Sequence, residues 1–303
     1  MLNRPLIAPL VVAFWCITTG WLLTAKVLPS LAIGSPPGYQ AMFATSAAVK
    51  PVAWTVQWNE RALGWSLTVP RRLVDRGLDV ETRLHFDRLP ISELFSGWAG
   101  TLMQATLPPS RSVAFDARGR LSIDPSGRLR SFFSTIDLPE SGGMVTVAGT
   151  VVDGAVTIDA RAAGMQYTTT RQLPDALLLA DELSPQALLP GIYEGRRWTV
   201  PVFSPLAAGP SSLEILHAEV GPEEMIYWDQ ALVRANLVSY RSDPTSTEQP
   251  RCRLWVDKTG RVLRQESMVM GALVSFVRRS DEDAVHLLEN VADEDAARAE
   301  ARP

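Results

Sequence analysis

The stretch RLWVDKTGRVL, residues 253–263, decides the fold of this chain because it reads as a strand, a turn and a second strand. Asp257 suits the first position of a type I turn, where its side chain accepts a backbone N–H. Gly260 supplies the positive φ that closes a short hairpin loop. The form D-x-x-G, followed by arginine and an aliphatic residue, recurs at Asp116–Gly119 and Asp124–Gly127. These turns predict consecutive antiparallel strand pairs.

Alternation of apolar and polar residues predicts the strands between these turns. Trp54–Trp58 and Leu63–Val69 form a predicted hairpin around Asn59-Glu60-Arg61, and Val152-Asp153-Gly154 marks another. Val80–Asp87 alternates strictly, as a half-buried strand does. Further strands are predicted at 198–203, 213–220, 225–228, 232–240, 251–256, 261–268 and 272–277. The total of about twelve or more strands is too many for one flat open sheet.

Helical periodicity is scarce in this sequence. Pro90–Ala105 is the best candidate, with Ser92 as its cap and a wide apolar face that suits a concave sheet. Asp175–Leu189 is a weaker candidate, broken by Pro185. The sequence therefore predicts a mainly β fold. It comprises an N-terminal transmembrane helix and a large curved antiparallel β-sheet, half-barrel or sandwich-like, packed on one or two short helices.

The N-terminal segment Pro5–Ala25 is an uncharged, largely apolar run followed by Lys26. As a helix it would be roughly 30 Å long, enough to cross the hydrocarbon core of a bilayer. We predict a transmembrane anchor; the alternative is a cleaved signal peptide, with sites at Ser30–Ala32 or Ala32–Gly34. Arg4 before the run favours a cytoplasmic N-terminus. The predicted location is a bacterial cell envelope, as a single-pass inner membrane protein whose C-terminal domain lies on the extracytoplasmic side.

Four regions follow from these patterns. Residues 1–27 are the predicted anchor or uncleaved signal, 28–50 a linker, 51–280 the exported antiparallel β domain and 281–303 an acidic C-terminal tail. The tail is interpreted as solvated and frayed. A short docking helix is the alternative, because an apolar stripe runs through the tail. The stripe consists of Val285, Leu287, Leu288 and Val291.

The composition excludes nucleic acid as a partner and leaves ample material for a core. The formal net charge is −4 and hydrophobic residues make up 46%, so no basic footprint is present. Arginine supplies nearly all of the 29 basic residues. A phosphate-binding surface is one explanation, but the arginines are scattered among acids, which favours a codon bias. Cys16 and Cys252 lie in different regions, so no intrachain disulfide is expected.

No stretch of the sequence carries a catalytic, metal-binding or cofactor motif. The three histidines have no metal-ligand spacing, and the D-x-x-G turns are too short to be calcium loops. His85 is the best catalytic candidate because Asp87 shares its strand face. Glu81 and Arg83 nevertheless mark that face as solvent-facing, and His217 is interpreted as a half-buried histidine. We therefore predict no catalytic residue, no metal and no cofactor, and the ligand-binding residues stay unassigned.

The tryptophans outside the N-terminal segment are interpreted mainly as filling between a curved sheet and a helix. A groove for a sugar or a lipid is the alternative. These residues are Trp54, Trp58, Trp65, Trp98, Trp198, Trp228 and Trp255. Cys252 alternates in phase with Leu254 and Val256, which predicts a small core residue.

The second half of the chain has a pattern that resembles known proteins. ELSPQALLPG at Glu182–Gly191 is followed by a strand with Trp198–Val202, then by Arg253–Asp257 and Gly260–Val262. With this pattern, residues 53–279 resemble a group of uncharacterised bacterial envelope proteins with long, curved antiparallel sheets. The predicted sheet is also similar to that of periplasmic lipoprotein carriers, in which a half-barrel wraps a helix and forms an apolar cavity. The resemblance brings no catalytic residues.

These patterns predict a non-enzymatic binding or scaffolding module that holds an apolar ligand or a partner protein in the concavity of its sheet. A hydrolase whose site is assembled from residues distant in sequence is one alternative. A structural envelope component is another. The predicted partners are the membrane through Pro5–Ala25, a lipid or apolar ligand and an envelope protein, with no nucleic acid.

Overall fold

The computed structural model describes residues 4–22, 34, 36–38, 50–90, 112–138, 143–162, 165–174, 178–179, 185–203, 213–269 and 272–300. The predicted helix Pro90–Ala105 lies outside these residues except for Pro90, which is the last residue of a strand. Most of the predicted linker, residues 28–50, lies outside them as well.

One sheet of fifteen strands forms the body of the protein, so the prediction of a mainly β fold is confirmed. The strands are β1 Val52–Trp58, β2 Arg61–Arg72, β3 Leu78–Pro90, β4 Ser112–Ile123, β5 Leu129–Leu138, β6 Gly143–Val152, β7 Ala155–Ala162, β8 Met165–Gln172, β9 Leu178–Leu179, β10 Arg197–Phe203, β11 Leu213–Trp228, β12 Ala231–Arg241, β13 Cys252–Val256, β14 Val262–Val269 and β15 Ala272–Arg278. The described residues also form the helices α1 Arg4–Leu22 and α2 Asp281–Glu300.

The strands follow one another as a meander, with one exception in the middle of the sheet. Their order is β8-β7-β6-β5-β4-β3-β2-β1-β15-β14-β13-β12-β11-β10-β9. The first strand therefore lies beside β15, and Trp54 faces Arg278 in this pairing. Every pairing between described strands is antiparallel except that of β9 with β10. Strands β1–β8 thus form one half of the sheet, here called the first wing, and strands β9–β15 form the second wing. The two wings meet along β1 and β15.

A hydrogen bond across the second wing shows how strongly it bends. Trp228, at the end of β11, donates from Nε1 to the backbone oxygen of Arg278 at 2.7 Å. Three strands lie between β11 and β15, so in a flat sheet the backbones of β11 and β15 would be roughly 19 Å apart. The end of the β11–β12 hairpin therefore folds back across the sheet, where the Arg261 guanidinium lies 5.4 Å from the centre of the Trp228 ring.

The largest hydrophobic core lies on one face of this sheet, here called the inner face. Trp54 and Phe276 are completely buried there, on β1 and β15. The segment Pro185–Gly191 packs onto the same core, where Leu189 is also completely buried. The backbone N–H of Leu189 donates to the backbone oxygen of Gly260 at 2.7 Å, which fixes the segment to the turn between β13 and β14.

Four of the five predicted hairpin turns are present. They are Asn59-Glu60, Asp124–Gly127, Asp153-Gly154 and Asp257–Gly260. At Asp124 the carboxylate accepts from the backbone N–H groups of Ser126 and Arg128, both at 2.9 Å, and from the Ser126 hydroxyl at 2.6 Å. Gly127 then takes a φ of 82°. The turn residues and their hydrogen bonds therefore act as the sequence predicts.

The prediction of a turn at Asp116–Gly119 is wrong. These residues lie inside β4, where they pair with β3 and β5. The third residue of the motif is Arg118 here, and it has no hydroxyl group to donate to the aspartate as Ser126 does. Asp116 contacts His85 on the neighbouring strand instead. The same four-residue pattern can therefore lie within a strand when the aspartate does not form the hydrogen bonds of the turn.

The predicted helix Asp175–Leu189 is wrong wherever the structure describes it. Leu178–Leu179 forms β9, and residues 185–190 are not helical. Leu188 forms an antiparallel bridge with Arg261 instead. Pro185 explains the difference, because proline has no N–H to donate and disfavours helical geometry in the residue before it.

The N-terminal residues Arg4–Leu22 form helix α1. Within the part of the chain that the structure describes, no helix combines the length and the apolar character needed to cross a membrane. The transmembrane anchor predicted at Pro5–Ala25 is therefore not supported.

The acidic C-terminal region forms helix α2 over most of its length. This agrees with the alternative prediction of a docking helix and not with the interpretation of a frayed tail. Ser280 caps the helix, because its Oγ accepts from the backbone N–H of Asp283 at 3.1 Å. The first turn contains Asp281, Glu282 and Asp283, and the helix dipole favours negative charge at that end. Local sequence chemistry thus explains where α2 begins.

Packing rather than local chemistry fixes where α2 lies. Ala284 and Val291 are buried against Ala53 and Leu67 of β1 and β2. Ala53 alternates with Trp54, so this contact is on the face of the sheet opposite the inner core. We call this the outer face. Helix α2 thus lies on the outer face of the sheet.

Candidate ligand-binding groove

A groove lies between α2 and the outer face of strands β2–β5. It has a cavity volume of about 390 Å³ and is open to solvent. Its apolar lining residues are Leu67, Val69, Phe133, Leu288, Val291 and Ala292. Its charged lining residues are Arg71, Glu81, Arg83, Arg118, Arg120 and Asp295. The groove therefore combines an apolar surface with a cluster of arginines.

The apolar part of the groove follows from the alternation of β2. Leu67 and Val69 point to the outer face because Ser66 and Thr68 face the inner side. Leu67 is buried beneath α2, whereas Phe133 on β5 is 47% exposed. An exposed aromatic side chain beside a buried leucine leaves apolar surface on which a ligand can pack.

Strand register brings together arginines that are distant in sequence. Arg83 on β3 is the cross-strand neighbour of Arg118 on β4, and Glu81 is the neighbour of Arg120. All four side chains lie on the outer face, because residues two apart in a strand share a face. Like charges directly opposite one another repel, so the pair of Arg83 and Arg118 favours an anion between the two guanidinium groups.

Asp295 of α2 supplies that anion. Its Oδ2 accepts from Arg83 Nη1 at 3.0 Å, and its Oδ1 accepts from Arg118 Nη2 at 2.8 Å. Arg83 is only 7% exposed, and its guanidinium lies 5.8 Å from the centre of the Trp65 ring. The buried Nε of Arg83 has no hydrogen-bond acceptor among the described residues. Two guanidinium groups therefore share one carboxylate.

The other two arginines of the groove have partners of their own. Arg71 pairs with Glu81 at 3.2 Å. Arg120 donates from Nε to Asp79 Oδ2 at 3.0 Å and from Nη2 to the same oxygen. Burial by itself raises the pKa of Asp79, but hydrogen bonds from Arg120 and Ser122 outweigh it and hold that pKa below its ordinary value. Asp79 therefore stays ionised and balances Arg120.

His85 lies beside the groove on the outer face, and carboxylates contact both of its ring nitrogens. Nδ1 is 2.8 Å from Asp116 Oδ1, and Nε2 is 3.2 Å from Asp87 Oδ1. The ring also stacks on Trp65 with 5.6 Å between centroids. A general base needs a ring nitrogen free to take a proton from substrate, and carboxylates engage both here. This geometry favours a structural role over catalysis.

The other polar residues that the sequence singles out lie elsewhere in the fold. His217 is half-buried on β11, as interpreted from the sequence, and faces Thr199 and Arg241. His286 is exposed on α2. Within the described residues, no group of three or more His, Cys, Asp or Glu side chains could hold a metal ion.

Cys252 is partly buried at the edge of the core, on the face that its alternation predicts. It packs against the main hydrophobic cluster, and the Ser267 hydroxyl donates to its Sγ at 3.5 Å. Burial raises the pKa of the Cys252 thiol to about 11, because a thiolate beside these apolar side chains is poorly solvated. The thiol is therefore protonated at physiological pH and is not a nucleophile.

Three of the six described tryptophans outside the N-terminal segment, Trp54, Trp58 and Trp198, fill the main core, and Trp98 lies outside the described residues. Trp255 is buried outside that core, where its Nε1 donates to Glu224, and Trp228 is half-buried beside Arg261. Trp65 stands on the outer face between Arg83 and His85, beside the groove. Core filling therefore accounts for half of these residues.

Comparison with known proteins adds little to this geometry. The chain matches no protein-family model, and a search of curated proteins found no match. A β-barrel-like protein of the domain of unknown function DUF1849 from Brucella abortus aligns with a TM-score of 0.44 and 10% identity, over 77% of this chain and 98% of that chain. A DUF1089 family protein from Pseudomonas aeruginosa aligns with a TM-score of 0.30 and 16% identity, over 65% and 87%. Both are bacterial proteins, and at these TM-scores neither informs the function.

The sequence left the ligand-binding residues unassigned, and the structure shows why the groove was missed. Arg83, Arg118 and Asp295 are far apart in sequence and meet only through the β3–β4 register and the docking of α2. Two signals pointed toward them. One was the polar face of Val80–Asp87, which contains Arg83, and the other was the apolar stripe of the C-terminal tail.

Proposed function

We propose that the protein is a non-enzymatic binding module that holds an apolar ligand in the groove between α2 and strands β2–β5. The groove itself is the observation that carries this proposal. Its volume of about 390 Å³ lies in the range of about 300–1,000 Å³ typical of small-molecule sites. Such sites combine an apolar lining with a few polar groups that orient the ligand. Leu67 and Leu288 provide the former here, and Arg83 and Arg118 the latter.

The proposal places the ligand on the outer face, whereas the sequence suggested the concavity of the sheet. On the inner face, Trp54, Val200 and Phe276 are completely buried among their neighbours. Protein interiors are close-packed, so side chains buried to this extent leave little room for a guest. The outer groove, in contrast, has an exposed aromatic residue, Phe133, and an open mouth.

A groove-filling substitution tests this proposal. Ala292 is exposed on α2 and lines the groove, whereas Ala296 is exposed one turn later and does not line it. We expect A292W to weaken binding of the fluorescent apolar probe N-phenyl-naphthylamine at least tenfold, because the indole occupies the volume that the probe needs. A296W adds the same side chain outside the groove and leaves the affinity unchanged.

Two results would overturn the proposal. One is the absence of probe binding to the wild-type protein. The other is equal probe binding by the wild type and A292W, with circular dichroism showing that the variant is folded. Either result would mean that the groove does not hold apolar molecules.

The proposal includes the absence of enzymatic activity, which is supported by the carboxylates that contact both ring nitrogens of His85. The location is also a proposal, which rests on the sequence pattern of residues 1–50 alone: a bacterial cell envelope, with residues 51–280 on the extracytoplasmic side. Alkaline phosphatase fused to the C-terminus is active only after export. An active fusion in bacterial cells is the expected result, and an inactive fusion that accumulates intact contradicts this location.

A further inference from the structure

Two arginines of the groove, one buried and one about half exposed, share a single carboxylate. Arg83 and Arg118 are cross-strand neighbours, and among the residues that the structure describes Asp295 is the one carboxylate that both contact. Arg83 is buried, so its guanidinium depends more on this carboxylate than an exposed arginine would. Its Nε–H, also buried, has no acceptor among the described residues. A second anion placed here would accept from the guanidinium N–H groups of Arg83 and Arg118 that face Asp295.

We infer that the ligand of this groove carries a carboxylate at the end of an apolar chain, bound by Arg83 and Arg118. This inference rests on the binding function proposed above and names the ligand class. Asp295 shows that the two guanidinium groups can contact the two oxygens of one carboxylate at the same time. The ligand carboxylate stands next to it or in its place. Guanidinium and carboxylate groups form strong, directional, charge-assisted hydrogen bonds.

The surroundings of this cation pair select the rest of the ligand. Leu67, Val69 and Leu288 line the same groove as Arg83, so an apolar chain attached to the carboxylate is buried where the floor is apolar. Glu81 and Asp295 also line the groove. These two carboxylates disfavour a group with several negative charges, such as a phosphate monoester. A fatty carboxylate has one charge and one chain, which matches both features.

Asp295 makes the C-terminal helix a competitor of the ligand. Its carboxylate contacts the same guanidinium groups and repels a second carboxylate at close range. The side chain of Asp295 is 41% exposed, so exchange does not require unfolding of the core. The affinity for a fatty carboxylate is therefore set partly by α2, and loss of the Asp295 charge strengthens binding.

Calorimetric titration of the full-length protein with dodecanoate and dodecanol tests this inference. The two probes share a chain and differ in the charged end. We expect dodecanoate to bind at least tenfold more tightly than dodecanol, and R118Q to remove most of that difference. Arg118 is about half exposed, so the substitution spares the core. We expect D295N to strengthen dodecanoate binding several-fold.

The control is R161Q, which removes an exposed arginine on β7 that pairs with Asp159 and does not line the groove. It leaves binding of both probes unchanged. Equal affinity for dodecanoate and dodecanol in the wild type, or unchanged dodecanoate binding in R118Q, overturns the carboxylate inference and leaves the apolar groove intact. Weaker dodecanoate binding in D295N overturns the competition by Asp295. Failure of both probes to bind overturns the proposed function itself.

Discussion

Arg83 and Asp295 form an ion pair of 3.0 Å although 212 positions separate them in the sequence. The pair joins β3 to the C-terminal helix across the groove. Its two sides differ in accessibility, because the side chain of Arg83 is 9% exposed and that of Asp295 is 41% exposed. A buried cation thus depends on a partner at the surface of the protein. That arrangement makes α2 both a wall of the groove and a part of its chemistry.

The cap of α2 determines how firmly the helix begins, and we expect S280A to lower the free energy of unfolding by about 1 kcal/mol. The Ser280 hydroxyl accepts from the Asp283 N–H and donates to the Asp283 carboxylate. H286A, at an exposed position of the same helix, is the control and leaves stability nearly unchanged. Urea unfolding measures both. Equal stability of S280A and H286A would show that the cap does not contribute.

The Asp257 turn gives stability a defined dependence on pH. Burial alone raises the pKa of Asp257, but hydrogen bonds from Thr259 and Arg261 outweigh it and lower that pKa in the folded protein. Its contribution, about 2 kcal/mol, is therefore complete above about pH 4 and is lost as pH falls through the lowered folded value. We expect the difference in unfolding free energy between wild type and D257N to stay constant from neutral pH to about pH 4 and to shrink as pH falls further.

The matched control for this measurement is D243N. Asp243 also accepts from the hydroxyl and the N–H of Thr245, but its side chain is exposed. Substitution there changes the acid limb of the stability curve less than D257N does. An identical acid limb in wild type and D257N would contradict the assignment of the effect to Asp257.

The turn glycine of the same hairpin reports the contact between this turn and the segment that packs on the core. Gly260 has a φ of 85°, and a Cβ there would lie 3.1 Å from Pro190 Cα. Gly195 has a φ of 81° and no atom within 4 Å of such a Cβ. Both substitutions by alanine incur the backbone strain of about 1–2 kcal/mol. We expect G260A to lose about 1 kcal/mol more than G195A, because only G260A also crowds Pro190. Equal losses in urea unfolding would show that the contact is unimportant.

The partly buried thiol of Cys252 should resist modification in the folded protein. The Cys252 pKa of about 11 leaves roughly a hundredfold less thiolate than an ordinary cysteine has, and burial slows access further. In a C16S background, which leaves Cys252 as the single thiol, we expect reaction with an aromatic disulfide reagent only after addition of denaturant. Rapid reaction of the folded C16S protein would place Cys252 at the surface.

Hairpins were predictable from this sequence because the interactions that define them are local. Asp124 and Asp257 are stabilised in their turns by residues two and four positions later, so the pattern contains its own explanation. Asp116 fails because Arg118 replaces the hydroxyl residue and a neighbouring strand supplies His85 as another partner. The same four-residue pattern can thus form either a turn or part of a strand, and its pairing partners in the sheet determine which of the two forms.

The groove was not predictable for the opposite reason. Arg83 and Arg118 lie side by side because of the β3–β4 register. Asp295 reaches them because α2 covers the outer face of the sheet. Both are non-local contacts, for which a single sequence contains no periodic signal. The pairing of β1 with β15, which joins the two wings, belongs to the same class.

A crystal structure of the protein with dodecanoate brominated at its terminal carbon tests the central claim most directly, because anomalous scattering locates the bromine. The account predicts a bromine peak in the outer groove near Phe133 and Leu288, with the carboxylate within hydrogen-bond distance of Arg83 and Arg118. A peak on the inner face of the sheet, beside Trp54 or Trp198, would contradict it.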